Sequence, residues 1–232
     1  MENRGRLPFR RLYRAAVARI SPVPVPSQAE TDRIRRIFDK QAPKYDRSMA
    51  RFERFVFSGN REWACSHAEG DVLEIAAGTA RNLPFYPDGV RLTGIELSPE
   101  MAELGRRRAE ELSRPMGMRV GDAESLDFPG ESFDTVVCTY GLCSIPDHRA
   151  AVREAKRVLR PGGRLLLAEP VRSPNPIVRT IQRLIDPLVH RFRGYHLLRE
   201  PLEPVVEEGF EIENIRRLKA GFVELVAARK PA

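Results

Sequence analysis

No run of about eighteen apolar residues occurs in this 232-residue chain, so no transmembrane helix is expected. Its Arg-rich start has no apolar stretch long enough for a secretory signal. Only three cysteines are present, Cys65, Cys138 and Cys143, an odd number without a CxxC pair. That usage argues against a disulfide framework and fits a reducing, cytoplasmic setting. The four histidines, His67, His148, His190 and His196, lack zinc-ligand spacing, and no metal is expected. A G-x-G-x-x-G fingerprint and a Walker lysine are both missing, which argues against a dinucleotide or a nucleoside triphosphate. No internal repeat is visible.

What is present suits one domain with an appended tail. Hydrophobic residues make up 42% of the chain, enough for a substantial core. The net charge is +7, but residues 1–20 hold six arginines and a single acid, Glu2. The remainder is close to neutral, so the basic character belongs to the tail. A basic tail invites weak contact with an acidic membrane surface. No aromatic-interleaved basic patch continues into the body, and nucleic acid is not expected as a partner.

Residues 1–28 read as a basic, Pro-rich extension that ends in "SPVPVPS", and residues 29–232 as the folded domain. From Thr31 the pattern predicts a helix with Ile34, Ile37 and Phe38 on one face, a break at Pro43, then a second helix with Phe52, Phe55 and Val56. After Gly70, short apolar runs alternate with helical stretches. Strands are expected at Val72–Ala76, Val90–Ile95, Met116–Gly121, Ser132–Thr139 and Gly163–Glu169, with helices at Pro99–Leu112 and Asp147–Leu159. This alternation predicts a doubly wound α/β sheet. "RPGGR" at 160–164 marks a helix stop and turn. The end changes character: "FEIENIRRLK" and "GFVELVAARK" predict an antiparallel hairpin turning at Ala220–Gly221. Residues 171–208 form an insertion before these strands. Ile177, Ile181, Leu184, Ile185, Leu188, Val189 and Phe192 share one helical face there. The segment reads either as a lid over the carboxyl edge of the sheet or as a plain covering helix.

Ligands of doubly wound sheets bind at the carboxyl ends of the strands. The first such turn here is "EIAAGTA", whose small side chains let backbone N–H groups approach a ligand. Glu96 ends the second strand in "LTGIELSPEM", where an acid can take both hydroxyls of a ribose. Asp122 ends the third in "GDAESLDF", where its carboxylate and the N–H of Ala123 can read an adenine edge. Three acids ending three consecutive strands are far more specific than any one of them.

Taken together, "VLEIAAGTA", "LTGIELSPEM", "GDAESLDFPGESFDTVVC" and "VREAKRVLRPGGRLLLAE" resemble a class I S-adenosylmethionine-dependent methyltransferase over about 31–230. "RIFDKQAPKYDRSM" is similar to quinone-ring C-methyltransferases of the menaquinone/ubiquinone type. "VVCTYGLCSIPD" and "LLREPLEPVVEEGFEIENI" are closer to the small-molecule thiol methyltransferase-like branch. The resemblance implies a Rossmann-like, seven-stranded sheet of order 3-2-1-4-5-7-6 and S-adenosylmethionine as cofactor, with S-adenosylhomocysteine as product. It implies that Glu74 faces the methionyl amino end, that Ala76, Ala77 and Gly78 line the cofactor, and that Glu96 holds the ribose. Leu97 and Met101 then pack near the adenine, Asp122 and Ala123 bind its amine, and Cys138 and Thr139 lie beside the sulfonium. Tyr45 covers the methionine carboxylate. The family pattern has glycine where Ala76 and Ala80 stand; Ala76 is expected to be harmless at a strand end, while Ala80 is expected to narrow the pocket.

Methyl transfer from a sulfonium is an in-line displacement that needs alignment and exclusion of water. Acceptor-side candidates are Tyr140, Cys143 and Asp147 after the fourth strand and His190, Tyr195 and His196 from the insertion. His196 and Tyr140 are taken as the catalytic pair, and Asp147 as a helix cap. The planar-amine loop [DN]-PP-[YF] is missing, and a dry, apolar pocket is expected from the composition of residues 171–208. The acceptor is therefore read as a small lipophilic metabolite, first at a thiol sulfur, alternatively at carbon or oxygen of a quinone-like or phenolic ring. A cofactor-binding protein that transfers nothing is the reading from another class. The sequence says nothing of oligomeric state.

Overall fold

Strand-forming runs such as "DVLEI" and "FDTVVCT" are apolar on both faces, the pattern of strands covered on two sides. A computed structural model describes residues 28–53 and 59–232 of the chain. The basic tail, the Pro-rich spacer, and the side chains of Phe52, Phe55 and Val56 lie outside the described residues. Seven strands, β1 (Asp71–Ile75), β2 (Arg91–Glu96), β3 (Met116–Val120), β4 (Phe133–Thr139), β5 (Leu159–Pro170), β6 (Glu211–Leu218) and β7 (Val223–Arg229), form one sheet. Their order is β3-β2-β1-β4-β5-β7-β6, as the resemblance implied. The first five pair in parallel; β7 runs antiparallel to both β5 and β6, giving the expected terminal hairpin.

Helices α1 (Gln28–Phe52), α2 (Asn60–Ser66), α3 (Pro99–Glu111), α4 (His148–Val158), α5 (Pro176–Arg193) and α6 (Leu202–Glu207) complete the fold. Alternation along β1 divides the core. Leu73 and Ile75 belong with Val152 and Val158 of α4 and Val205 of α6, whereas Val72 belongs with Ala64 and Cys65 of α2. Asp147 caps α4 as expected, its side chain accepting from the N–H groups of Arg149 and Ala150.

Two expectations about helices change. Pro43 does not break the first helix: α1 runs through it without interruption. An internal proline costs about 3 kcal/mol, so tertiary contacts must offset it. They flank the proline: Asp39 accepts from Ser98 Oγ, and Asp46 accepts from Thr79 Oγ1 and pairs with Arg108. The second change concerns α5. Its apolar residues do share a face, but that face points away from the body, with Ile177 and Leu184 each 72% exposed.

The turn after β1 is a left-handed chain of residues. Ala76 (φ 53°), Gly78 (φ 57°) and Ala80 (φ 55°) all lie where L-residues are disfavoured. Ala76 is therefore as strained as Ala80, contrary to the sequence-based expectation. The two methyls differ in surroundings, because Ala80 is fully buried and Ala76 is only partly so. Ala76→Gly is expected to stabilise the protein by about 1 kcal/mol, raising Tm by about 2–4 °C. Ala80→Gly is expected to be near neutral, since relief of a similar strain is offset by loss of a buried methyl worth about 0.8 kcal/mol. Thermal melts of the two variants check the contrast; an equal gain for both would show that the burial of Ala80 contributes nothing.

Candidate active site

The strand order sets β1 between β2 and β4 with β3 beyond β2, and the loops that follow these four strands converge on one cavity. It holds about 730 Å³ of empty space counted to its open mouth. Ala76, Ala77, Gly78, Glu96, Leu97, Met101, Asp122, Ala123, Thr139 and Tyr140 line it from below, and Ile34, Phe38 and Tyr45 of α1 lie on the same wall. Glu96 is nearly buried, and its carboxylate is held by two backbone donors: Gly78 N at 2.8 Å and Ser98 N at 2.9 Å. Burial raises its pKa, opposed by these amides. Each carboxylate oxygen keeps a further lone pair for a ligand hydroxyl. Asp122 is turned by a local bond, accepting from Glu124 N at 2.9 Å.

Two residues of the expected cofactor set are not on the cavity wall. Glu74 is buried beneath the loop, where Asn82 Nδ2 and Tyr86 OH donate to its two oxygens at 2.8 Å each. Burial pushes its pKa up to about 7 against those bonds. Cys138 precedes Thr139 on β4, and successive strand side chains face opposite ways. Thr139 reaches the cavity, whereas Cys138 is buried with Sγ 3.4 Å from Glu169 Oε1. The same Glu169 oxygen accepts from the N–H groups of Gly141 and Leu142, and burial lifts this carboxyl to about 7 as well. Gly141 has no room for a side chain: a Cβ there would fall 2.6 Å from Cys138 Sγ and 2.7 Å from Ala76 Cβ.

Sequence reasoning missed Arg61, the buried cation of the site. Its Nε donates to Glu53 at 2.6 Å, and Nη1 donates to Asn82 Oδ1 and Thr139 Oγ1 at 2.9 and 2.7 Å. Among the described residues Nη2 makes no hydrogen bond, and Arg61 lines the cofactor cavity. Arg81 lines it too and shares Glu53. Burial opposes ionisation of Glu53, but Arg61 and Arg81 hold it below the usual carboxylate range. No motif marks Arg61; it sits 78 positions from its partner Thr139.

A second cavity adjoins the first. Phe38, Tyr45, Tyr140 and Ser144 belong to both walls. The second is completed by Met49, Cys143, Pro170, Tyr195, Leu197 and Phe222, with exposed Lys40, Lys44 and Arg193 at its rim. It is apolar as expected, but the apolar stripe of α5 takes no part in it. Tyr140 adopts φ 56°, a strained conformation for an aromatic residue, with the Arg61 guanidinium 4.6 Å from its ring centroid. Burial raises the phenols of Tyr140 and Tyr195, and desolvation pushes Tyr45 up to about 12. Cys143 is likewise raised by burial.

His196 lies in neither wall. It lines a third opening with Glu30, His190 and Arg199, which shares Ile34, Ser144 and Pro146 with the first cavity, and it is stacked on His190 at 3.8 Å between ring centroids. Its backbone N–H donates to Cys143 O at 2.8 Å, and Nδ1 is 3.4 Å from Asp186. Burial lowers its pKa, helped by Arg199. Among the described residues no group of three or more His, Cys, Asp or Glu side chains is arranged to hold a metal ion.

Comparison with known proteins accords with this geometry. Residues 73–167 match the methyltransferase domain family described as Methyltransf_11. The chain is 31% identical over 181 residues to the thiol S-methyltransferase TMT1A of Homo sapiens, covering 76% of this chain and 74% of that one. It is 34% identical over 155 residues to the ubiquinone/menaquinone biosynthesis C-methyltransferase UbiE of Geotalea daltonii, covering 60% and 63%. The chain spans about half to three quarters of the length of the curated relatives it matches. A crystal structure of an S-adenosylmethionine-dependent methyltransferase from Thermotoga maritima, titled a possible histamine N-methyltransferase, shares the fold. Its TM-score is 0.65 at 22% identity, over 84% of this chain and 99% of that one. The small-residue loop, the glutamate that ends β2 and the sheet order thus stand in a chain that belongs to the class I S-adenosylmethionine-dependent methyltransferases.

Proposed function

We propose that the enzyme methylates a small lipophilic acceptor at a thiol sulfur. The observation that carries this reading is the composition of the second cavity: among the described residues its lining contains no carboxylate and no imidazole. Its phenols and its cysteine are all pushed away from ionisation by burial. A hydroxyl or ring-carbon acceptor needs a base within reach. A thiol ionises by itself near neutral pH, and the rim cations Lys40, Lys44 and Arg193 favour its anion.

When bound, the cofactor supplies an electrophilic sulfonium methyl. The residues around it bind, orient and keep water out. Glu96 is assigned the ribose hydroxyls, Asp122 and Ala123 the adenine edge, and Leu97 and Met101 its faces. Arg61 Nη2 and Tyr45 are assigned the methionyl carboxylate. Tyr140 forms the common wall where the methyl passes from one cavity to the other. His196 is assigned a positioning role through its backbone bond to Cys143, since its ring lies outside the acceptor cavity. The second reading, C-methylation of a quinone-like ring, is favoured by the helix "RIFDKQAPKYDRSM", whose Phe38, Tyr45 and Met49 line the acceptor cavity. It lacks a base in the lining.

Turnover on a panel of thiols, phenols and hydroquinones separates the two readings. With a thiol, kcat/KM is expected to rise with pH towards the thiol's own pKa, near about 8.5. His196→Ala is expected to keep that rising limb and to cost less than about tenfold. Loss of the limb, or a fall of 10²-fold or more, would make His196 the base and remove the thiol reading. For the cofactor, Glu96→Ala is expected to weaken S-adenosylmethionine binding about 10- to 150-fold, equivalent to about 1.5–3 kcal/mol. Glu96→Gln keeps one acceptor oxygen and is expected to lose less. Calorimetric titration checks both, and an unchanged Kd in Glu96→Ala would remove the ribose assignment.

A further inference from the structure

We propose that α5 docks the enzyme on an anionic membrane surface, with its outward apolar face laid into the lipid. The helix is built inside out for a soluble protein. Of the nine large apolar side chains exposed among the described residues, six belong to it: Ile177, Ile181, Leu184, Ile185, Leu188 and Phe192. At 100° per residue they fall on one stripe. The opposite face, turned to the body, is polar. Buried Gln182 accepts from Ser173 N and donates to the carbonyls of Val171 and Leu197, each at 2.9 Å. Asp186 accepts from Leu197 N, and His190 Nε2 lies 2.8 Å from Arg33 Nη2. A helix that only covered a sheet would present these faces the other way round. Here hydrogen bonds hold the helix on the body and leave its hydrophobic stripe in water, a standing cost that an apolar environment removes.

Charge identifies that environment. The helix carries four arginines, Arg179, Arg183, Arg191 and Arg193, and a single acid, Asp186, which is turned inward. Arg179, Arg183 and Arg191 have no carboxylate partner among the described residues. An apolar stripe on a helix whose other positions carry unpaired arginines, Arg191 beside the stripe and Arg179 and Arg183 across from it, is the composition of a helix lying in an anionic lipid interface. No helix among the described residues is long and apolar enough to cross a membrane, so α5 lies on the surface. A second copy docked on the same face would bring two helices of four arginines each together, with the one acid of each, Asp186, turned inward. Residues 1–20, with six arginines and one acid, are equally mismatched to the helix but complement the same lipid. The described chain begins at Gln28, two residues before Glu30, whose Oε1 is 3.2 Å from His190 of α5. The described chain therefore begins beside the C-terminal half of α5.

The test uses the full chain and sedimentation with phosphatidylcholine vesicles, with or without phosphatidylglycerol. Binding is expected on the mixed vesicles and is expected to fall with salt. Leu184→Ser/Leu188→Ser/Phe192→Ser, at three exposed positions, is expected to weaken partition on the order of tenfold to 10²-fold with an unchanged melt. As a gain-of-signal control that needs no loss of binding, Leu188→Trp is expected to shift its fluorescence to the blue when mixed vesicles are added. No binding by the full chain overturns the proposal. So does binding that deletion of residues 1–27 abolishes while the triple variant leaves it intact, which makes the tail the anchor. A triple variant that turns a dimer into a monomer at unchanged vesicle binding assigns the face to a second copy and overturns it too. These readouts are independent of turnover, so the acceptor reading and the docking reading can fail separately.

Discussion

A guanidinium buried under the cofactor cavity ties together segments that have no nearness in sequence. Arg61 on α2 binds Glu53 at the end of α1, Asn82 beyond the small-residue loop, and Thr139 at the tip of β4, while the Tyr140 ring lies under its plane. The charge is acceptable there only because Glu53 and two neutral acceptors surround it. Removing one partner from such a buried pair typically costs about 3–5 kcal/mol, because the other charge is left without compensation. The positions of the helix cap, the loop and the strand end are therefore not independent. Glu74, next in this network, is buried and accepts from Asn82 and Tyr86, one bond on each oxygen.

On this frame sits a concentration of backbone strain. Ala76, Ala80 and Tyr140 all have positive φ, and all lie at or beside the ends of β1 and β4. Gly141 follows Tyr140 and is packed so tightly that no Cβ fits. The close approach of Gly141 to Ala76 brings the two loops into contact across the sheet's switch point. Strain of this kind persists where the surroundings over-determine the conformation, and it clusters where a ligand must meet backbone rather than side chains.

The fold was legible because its signals are local. Apolar runs with an acid at or near the end marked β1, β2 and β3, and a helix pattern followed β2 and β4 at close range. The hairpin followed from two strand-like runs around Ala220–Gly221. Position along a strand was enough to bring Glu96 and Asp122 to the cavity wall. It does not give the facing of a side chain, and of Cys138 and Thr139 only the second lines the cavity. Arg61 was invisible, since a lone arginine in a short helix carries no pattern. The α5 stripe shows the limit of periodicity: spacing gives a face and not its direction. Only the bonds of Gln182, Asp186 and His190 orient it.

In mechanical terms α1 is a beam on two supports. Asp39 is fixed to Ser98, and Asp46 to Thr79 and Arg108. Between them stands Pro43, whose nitrogen has no hydrogen to give to the carbonyl of Asp39. The section with least bending stiffness thus falls inside the span and not at either bearing. Phe38 and Tyr45, the two side chains of the beam that line both cavities at once, stand on either side of Pro43. Flexure there changes the width of both cavities together, while the bearings stay loaded.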